Sequence, residues 1–453
     1  MPSEVASFFG GPLAVNVFLL GTAGNLYVFQ RMGFPLERVM GAKDGDLPTA
    51  CGLGSFAALL FAILGLLYIA FRRSLVLVMA KFHEVALVFY CLVVLLLLFA
   101  PFDVLHRRAR MFLGKKLYKC VFPLSWKGTA TLRLPMTETP FVEVFLADGL
   151  TSMSKVFYDV AVGVLMLMES LDGRHSDWYD AKMKPHPLPY LCAAWPYLIR
   201  ATQCLISYRR APLANDKFLH LLNTFKYGTG LGVIVVGALP AIFGTAPAST
   251  SFLVLDGQTM FLLCACCNSL YSFFWDVVMD WGLCQPAPAP SRDLESHVVT
   301  PVQHYPYLRQ ELHYKSPFVY YVAMGVDGGL RILWATSNWE WVDLVGAEFK
   351  VVMQVAEVLR RCMWNCFRVE WQCLKHGFEL RPADTQKAPS LLRSLKPKNS
   401  NDKLNVLEET MTTLDADSDA DDDVDDTRPL LHHQPLSPRK HATKPSDDRQ
   451  LVA

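Results

Sequence analysis

The sequence predicts an all-α polytopic membrane protein: about nine transmembrane helices, a basic amphipathic helix and a disordered C-terminal tail. Three observations predict it. Of 453 residues, 52% are hydrophobic and 19% charged, against about 25% charged in an ordinary soluble domain. Apolar runs of about 20 residues recur along the chain, enough to cross about 30 Å of hydrocarbon at about 1.5 Å per residue. The polar residues concentrate after Arg381, so the body is more apolar than the average suggests. In lipid, backbone groups must pair within their own segment, hence helices. Such a chain excludes a soluble enzyme, a nucleic-acid binder and a disulfide-stapled secreted domain. Its net charge of +1 offers no bulk attraction to nucleic acid.

In order, the expected spans are 8–29, 51–71, 85–105, 139–170, 188–207, 218–245, 252–282, 315–338 and 343–368. The fourth is long enough to begin with an interfacial turn. Between the third and fourth, His106 to Arg133 carries Arg107, Arg108, Arg110, Lys115, Lys116, Lys119 and Lys127 among Phe112, Leu113, Leu117, Val121 and Phe122. That pattern predicts a basic amphipathic helix on a membrane surface; the alternative is a solvated basic loop. The chain thus divides into an N-terminal helical part (1–135), a charged transmembrane domain (136–381) and a tail (382–453).

Cation placement sets direction. The first span has no Lys or Arg before it and Arg31, Arg38 and Lys43 after it. Its N-terminus is expected outside or in a lumen, as an uncleaved signal-anchor. Nine crossings then put the C-terminus in the cytosol. The loops with 106–133, Arg209-Arg210, Arg292 and Arg309 fall on the cytosolic side. Arg72, Arg73 and Lys81 run against this arrangement.

The tail is polar and poor in aromatics, a composition that does not bury a core. It contains an acidic run from Asp415 to Asp426 and Asp426-Thr-Arg-Pro-Leu430-Leu431, which fits an acidic dileucine sorting signal. Ser437-Pro438 offers a phosphorylation site. The twelve cysteines, including Cys91, Cys204, Cys264, Cys266 and Cys267, sit mostly in apolar runs and read as small buried hydrophobes. Gly228-Thr-Gly230-Leu-Gly232 lies in a span and reads as close helix packing. No P-loop, G-x-S-x-G or H-E-x-x-H occurs, so neither catalysis nor a metal or cofactor is expected.

The informative residues are ionisable groups inside apolar segments: Asp148, Asp159, Arg200, Lys226, Asp276, Asp280, Asp327, Arg331, Glu357, Arg360 and Arg361. A charge at the bilayer centre costs about 2.5–3.5 kcal/mol, so five basic groups facing lipid would cost roughly 15 kcal/mol. They must face one another or a wet path. Asp276 and Asp280 are i,i+4 and share a helix face, as do Asp327 and Arg331, with Trp334 one turn on. Glu357, Arg361 and Trp364 repeat the order of acid, arginine and indole. Guanidinium groups match tetrahedral oxyanions and stay charged when partly dehydrated. Five cations with interleaved acids suit a path for phosphate or sulfate that binds weakly enough to release, with tryptophan as a closure. The competing reading is a set of buried ion pairs that fix helix packing.

At these residues the chain resembles the EXS family, which includes phosphate exporters of the xenotropic-retrovirus-receptor type and a fungal Golgi protein named for defective ER retention. The similar stretches are Phe145-Leu-Ala-Asp-Gly-Leu-Thr151, Ala194-Trp-Pro-Tyr-Leu-Ile-Arg-Ala-Thr-Gln-Cys-Leu205, Asn223-Thr-Phe-Lys-Tyr227, Leu270-Tyr-Ser-Phe-Phe-Trp-Asp-Val-Val-Met-Asp-Trp-Gly-Leu283 and Leu359-Arg-Arg-Cys-Met-Trp-Asn-Cys-Phe-Arg-Val-Glu370. The resemblance implies phosphate-path roles for Asp148, Arg200, Lys226, Tyr227, Asp276, Asp280, Arg331, Arg360 and Arg361. It implies a gate at Trp334. Asp327 and Glu357 are expected as supporting ion pairs on the cost of buried charge alone. The family's large exporters carry an N-terminal SPX sensor and one more N-terminal span; the short lead before the first span here implies that both are absent. Glu370-Trp371-Gln372 departs from the family's usual E-N-E-H.

The expected function is therefore phosphate transport, by export or by organelle-to-cytosol recycling, in a Golgi, endosomal or plasma membrane. A non-transporting Golgi adaptor for glycosyltransferases is the alternative. Expected partners are inorganic phosphate, membrane lipids, a second copy in a homodimer, and sorting adaptors at Leu430 and Leu431.

Overall fold

The computed structural model describes residues 2–74, 82–100, 106–122, 125–126, 132–133, 139–171, 186–243, 251–252, 255–284, 305–314, 316–333 and 347–380. Trp334, Leu430, Leu431, Ser437 and the tail 382–453 lie outside the described residues. The architecture is all-helical: α1 (Pro2–Met32), α2 (Leu36–Met40), α3 (Ala50–Ser74), α4 (Phe82–Phe99), α5 (Arg107–Val121), α6 (Phe141–Ser152), α7 (Ser154–Leu171), α8 (Leu188–Arg210), α9 (Ala214–Phe243), α10 (Gly257–Phe274), α11 (Pro317–Ile332) and α12 (Ala347–Lys375). Two antiparallel pairs of two-residue strands, Ser125–Trp126 with Leu132–Arg133 and Ser251–Phe252 with Leu255–Asp256, staple connecting segments.

The bundle is inverted relative to a soluble protein. Leu66, Leu96, Phe99, Val235, Leu270, Phe318 and Leu359 are exposed, while Asp148, Arg200, Asp276, Asp327, Arg360 and Glu370 are buried. An apolar belt outside and charge within is the arrangement of a protein whose solvent is lipid. Among the described residues, three stretches are long and apolar enough to cross a membrane by length and composition: Phe9–Met32, Ala50–Ala70 and Gly257–Asp280. Charged residues in the helices around the site dilute their apolar composition.

Five expected features differ in detail. The expected span 139–170 is two helices, broken at Met153. There Thr151 donates its hydroxyl to the Asp148 carbonyl at 2.7 Å, a side-chain bond that competes with the backbone ladder. The span 252–282 starts with a strand pair and ends in a π-helical turn, Trp275–Asp280. The basic amphipathic segment is helical only to Val121. It stops at Phe122-Pro123, since a residue before proline is disfavoured in the helical region. The cysteine reading holds for Cys204, which is buried, but Cys266 and Cys267 are exposed on α10. In the glycine-rich run of α9, Gly230 alone is in close packing: a Cβ there would lie 2.5 Å from Tyr197 Cε1, whereas Gly228 and Gly232 face open space.

Helix α12 packs along α1, and α8 packs between α7 and α9. The core cluster of Val277, Trp281, Leu283, Tyr320, Ala323, Trp364 and Phe367 locks the π-helical turn to α11 and α12. That clamp brings the charged faces of α6, α8, α9, α11 and α12 together.

Candidate anion path

The charged residues converge in two linked groups. In the first, Asp148 of α6 accepts from Arg200 Nε and from the Tyr227 hydroxyl, each at 2.6 Å. Arg200 also donates to Gln203 Oε1 at 2.6 Å, and its guanidinium lies 4.9 Å from the Tyr227 ring centre. In the second, Asp276 of the π-helical turn accepts from Lys226 Nζ at 3.2 Å, from Arg360 Nη1 at 3.1 Å and from Arg331 Nη2. Lys226 Nζ is also 3.4 Å from Asp280 Oδ2. The shared face expected for Asp276 and Asp280 is thus realised, on a π-helical rather than an α-helical turn. Such turns occur frequently at functional sites.

Asp327 accepts from Arg360 Nη1 at 2.8 Å and from Arg331 Nε at 3.3 Å. Glu357 accepts two bonds from Arg360, at 2.7 and 2.8 Å, and one from the Ser152 hydroxyl at 2.8 Å. The partner of Glu357 is therefore Arg360, three residues on, where the expected stripe paired it with Arg361. Arg361 instead donates to the Ser152 hydroxyl at 2.8 Å and the Thr151 hydroxyl at 3.5 Å, and stacks 4.5 Å over Trp364. Trp364 is fully buried in the apolar core rather than aligned on a path. Arg200, Lys226, Arg331 and Arg360 pair with five carboxylates, Asp148, Asp276, Asp280, Asp327 and Glu357, and Arg368 Nε lies 3.8 Å from Asp280. Arg361 adds a cation held by hydroxyls.

A cavity of about 220 Å³ opens beside this cluster. Lys226, Arg331, Arg360 and Arg361 reach its wall, with Asp148, Tyr227 and Glu357. Arg200, Asp276, Asp280 and Asp327 stand behind that wall, where they hold the lining residues in position. The set expected from sequence thus separates into a cationic lining and a supporting shell. Asp159 is apart from both and pairs with Lys155 one turn away.

Several lining residues were not foreseen: Thr151, Tyr197, Asn268, Ser269 and Ser272, with Ser152 just behind. Neutral hydroxyls carry little cost in an apolar run, so the cost of burying charge does not single them out. The signal present was the clustering of Asp148, Thr151 and Ser152 at the end of α6. A helix broken at such a cluster exposes backbone polar groups, which a membrane tolerates where they line a cavity or are buried in protein.

Comparison with known proteins adds independent findings. The EXS family model matches residues 5–374. Protein ERD1 homolog 1 of Schizosaccharomyces pombe is 30% identical over 257 residues, 55% of this chain and 62% of its own length. Phosphate transporter PHO1-1 of rice (Oryza sativa subsp. japonica) is 27% identical over 314 residues, 68% of this chain and 34% of the relative. The xenotropic and polytropic retrovirus receptor 1 homolog of Danio rerio is 28% identical over 304 residues, 63% of this chain and 38% of the relative. The matches span less than two thirds of each of these relatives.

Proposed function

The chain belongs to the EXS family, and on that premise we propose that it is an integral membrane protein that carries inorganic phosphate through the charged cavity. One observation carries the reading: Arg361 reaches the cavity wall held by two hydroxyls and, among the described residues, by no carboxylate. The other lining cations, Lys226, Arg331 and Arg360, are each bound to at least one acid. A phosphate oxygen beside Arg361 gains a charge-assisted bond without displacing a resident carboxylate. Neighbouring Arg331 and Lys226 then share the anion, while Asp276 limits how tightly they hold it. Tyr227 and Asp148 set one side of the site, with Arg200 as their support. Trp334, following Leu333 of the cavity wall, is the proposed gate.

In this reading the chain crosses the membrane nine times with its C-terminus in the cytosol, and the flux follows concentration and membrane potential. A Golgi membrane is the proposed address, by similarity to the ERD1 homolog, with phosphate returned from lumen to cytosol. The phosphate-transporter names of other relatives support the solute.

The test uses the full chain in liposomes with labelled phosphate. Wild type should give saturable flux. Arg361→Ala and Arg331→Ala, each verified as folded by thermal melting, should fall to background. Equal flux in wild type and both variants would overturn the reading. The ERD1 homolog also favours a second reading, an adaptor that retains glycosyltransferases and works through the tail and Leu430-Leu431. Removal of residues 382–453 separates the two: a carrier keeps its flux, whereas an adaptor loses its role.

A further inference from the structure

A second cavity, of about 340 Å³, lies under α5 and shares no lining residue with the charged site. Its exposed wall is mainly apolar, with Leu26 of α1, Leu53 and Phe56 of α3, Phe112 and Leu113 of α5, and Phe145 of α6, and it also includes Asp46, His106 and Arg110. Water is a poor occupant, since a buried water needs two to four polar partners. An empty apolar void of this size forfeits contacts on every side. Hydrocarbon suits it.

Helix α5 supplies the second half of the argument. It carries six basic residues and no acid. Arg110 caps the end of α4 by donating to the Leu97 and Ala100 carbonyls at 2.7 and 2.9 Å. Lys116 pairs with Glu143 at 3.3 Å. The other four, Arg107, Arg108, Lys115 and Lys119, are exposed. The same outer face exposes Met111 and Tyr118, a mixture suited to the boundary between acyl chains and headgroups. The helix therefore roofs an apolar cavity with one face and presents with the other four cations that have no ion pair among the described residues, beside the end of α4.

We propose that this cavity is a lipid site that takes one acyl chain of an anionic glycerophospholipid, with the headgroup on the α5 cations. The match is of charge as well as shape: a neutral lipid fills the cavity but leaves the cations without a counter-charge. The proposal rests on the chain lying in a membrane and not on what the charged path carries.

The test is native mass spectrometry of the full chain released from nanodiscs of equal phosphatidylcholine and phosphatidylserine. Wild type should retain one phospholipid and prefer phosphatidylserine by about tenfold, given the attraction of several basic residues near an anionic surface. Leu53→Trp should fill the cavity and abolish retention. Leu113→Phe, a milder filling, decides the point if the first variant fails to fold. Replacing Arg107, Arg108, Lys115 and Lys119 with Gln should keep a bound lipid but erase the preference. The proposal is overturned if wild type retains no lipid, if both filling variants retain it, if the Gln variant keeps the preference, or if added cholesterol displaces the phospholipid. Phosphate flux is not a readout, so failure here leaves the carrier reading untouched.

Discussion

Arg360 and Asp276 are 84 positions apart in the sequence and 3.1 Å apart in space, Nη1 to Oδ2. Asp276 is fully buried, and it also receives Lys226 and Arg331. One carboxylate thus organises three cations from three helices. Asp276→Asn removes that charge and strips one acid from each cation, while Lys226 keeps Asp280, Arg331 keeps Asp327, and Arg360 keeps Asp327 and Glu357. Breaking a buried pair from one side costs about 3–5 kcal/mol. The variant should melt at a clearly lower temperature, and the molecules that fold should bind phosphate more tightly and release it more slowly. A melt paired with flux and binding measurements checks this. Unchanged stability would show that Asp280, Asp327 and Glu357 suffice for the three cations.

Arg361 gives a contrasting prediction. Its bonds run to the Ser152 and Thr151 hydroxyls, and a hydrogen bond to a charged group contributes about 1.5–3 kcal/mol. Ser152→Ala should therefore lower stability by about 1.5–3 kcal/mol for the lost Arg361 bond, and the lost Glu357 bond adds less because Glu357 keeps two bonds from Arg360. Its effect on flux should be larger, because Arg361 and Glu357 lose the hydroxyl that holds them at the cavity wall. An effect on stability with unaltered phosphate affinity would mean that the hydroxyl only packs.

These two cases mark what sequence makes legible. Asp276, Arg331 and Arg360 declare themselves because a charge in lipid is costly wherever it points, so an apolar run containing one demands a partner. The cost does not say which partner. Glu357 sits equally well for Arg360 and Arg361 by helix spacing, and only the approach of α6 with Ser152 and of α11 with Asp327 decides between them. Arg200 reads from sequence like the other cations, yet it stands behind Tyr227 because α8 packs against α6 at that level. The break at Met153 and the π-helical turn at Trp275 are equally hidden, since the first goes with the Thr151 hydroxyl bond and the second with packing against α11 and α12 rather than with local propensity.

Glu370 shows the same dependence outside the path. It is fully buried at the end of α12, where it pairs with Arg309 and accepts from the Tyr320 hydroxyl and, at 2.7 Å, the His313 backbone N–H. Arg309 also donates to the Trp281 carbonyl. This network fixes the segment Tyr305–Tyr314 to the bundle. Glu370→Ala should destabilise by about 3–5 kcal/mol, the cost of leaving a buried partner charge unpaired. Glu370→Gln should lose less, since its amide oxygen still accepts from His313 and Tyr320. Chemical denaturation in detergent should rank the three proteins in that order. Flux per folded molecule should change far less than for Arg361→Ala, because Glu370 does not line the path cavity.

The π-helical turn ends at a position where only glycine fits. Gly282 has φ of +64°, and a Cβ there would sit 2.6 Å from the Trp371 indole. Its neighbours Trp281 and Leu283 are both fully buried, so the backbone has little freedom to retreat. Gly282→Ala adds a left-handed backbone cost of about 1–2 kcal/mol to an overpacking cost of about 1–3 kcal/mol. The two parts are separable. Trp371→Leu removes the ring that a methyl group would strike but leaves the backbone conformation as it was. In the double variant the overpacking part should vanish and the backbone part persist, giving a favourable coupling of about 1–3 kcal/mol relative to the sum of the single changes. Strict additivity would mean that the chain relieves the clash elsewhere, and that the contact between the turn and the end of α12 does not hold Asp276 and Asp280 in place.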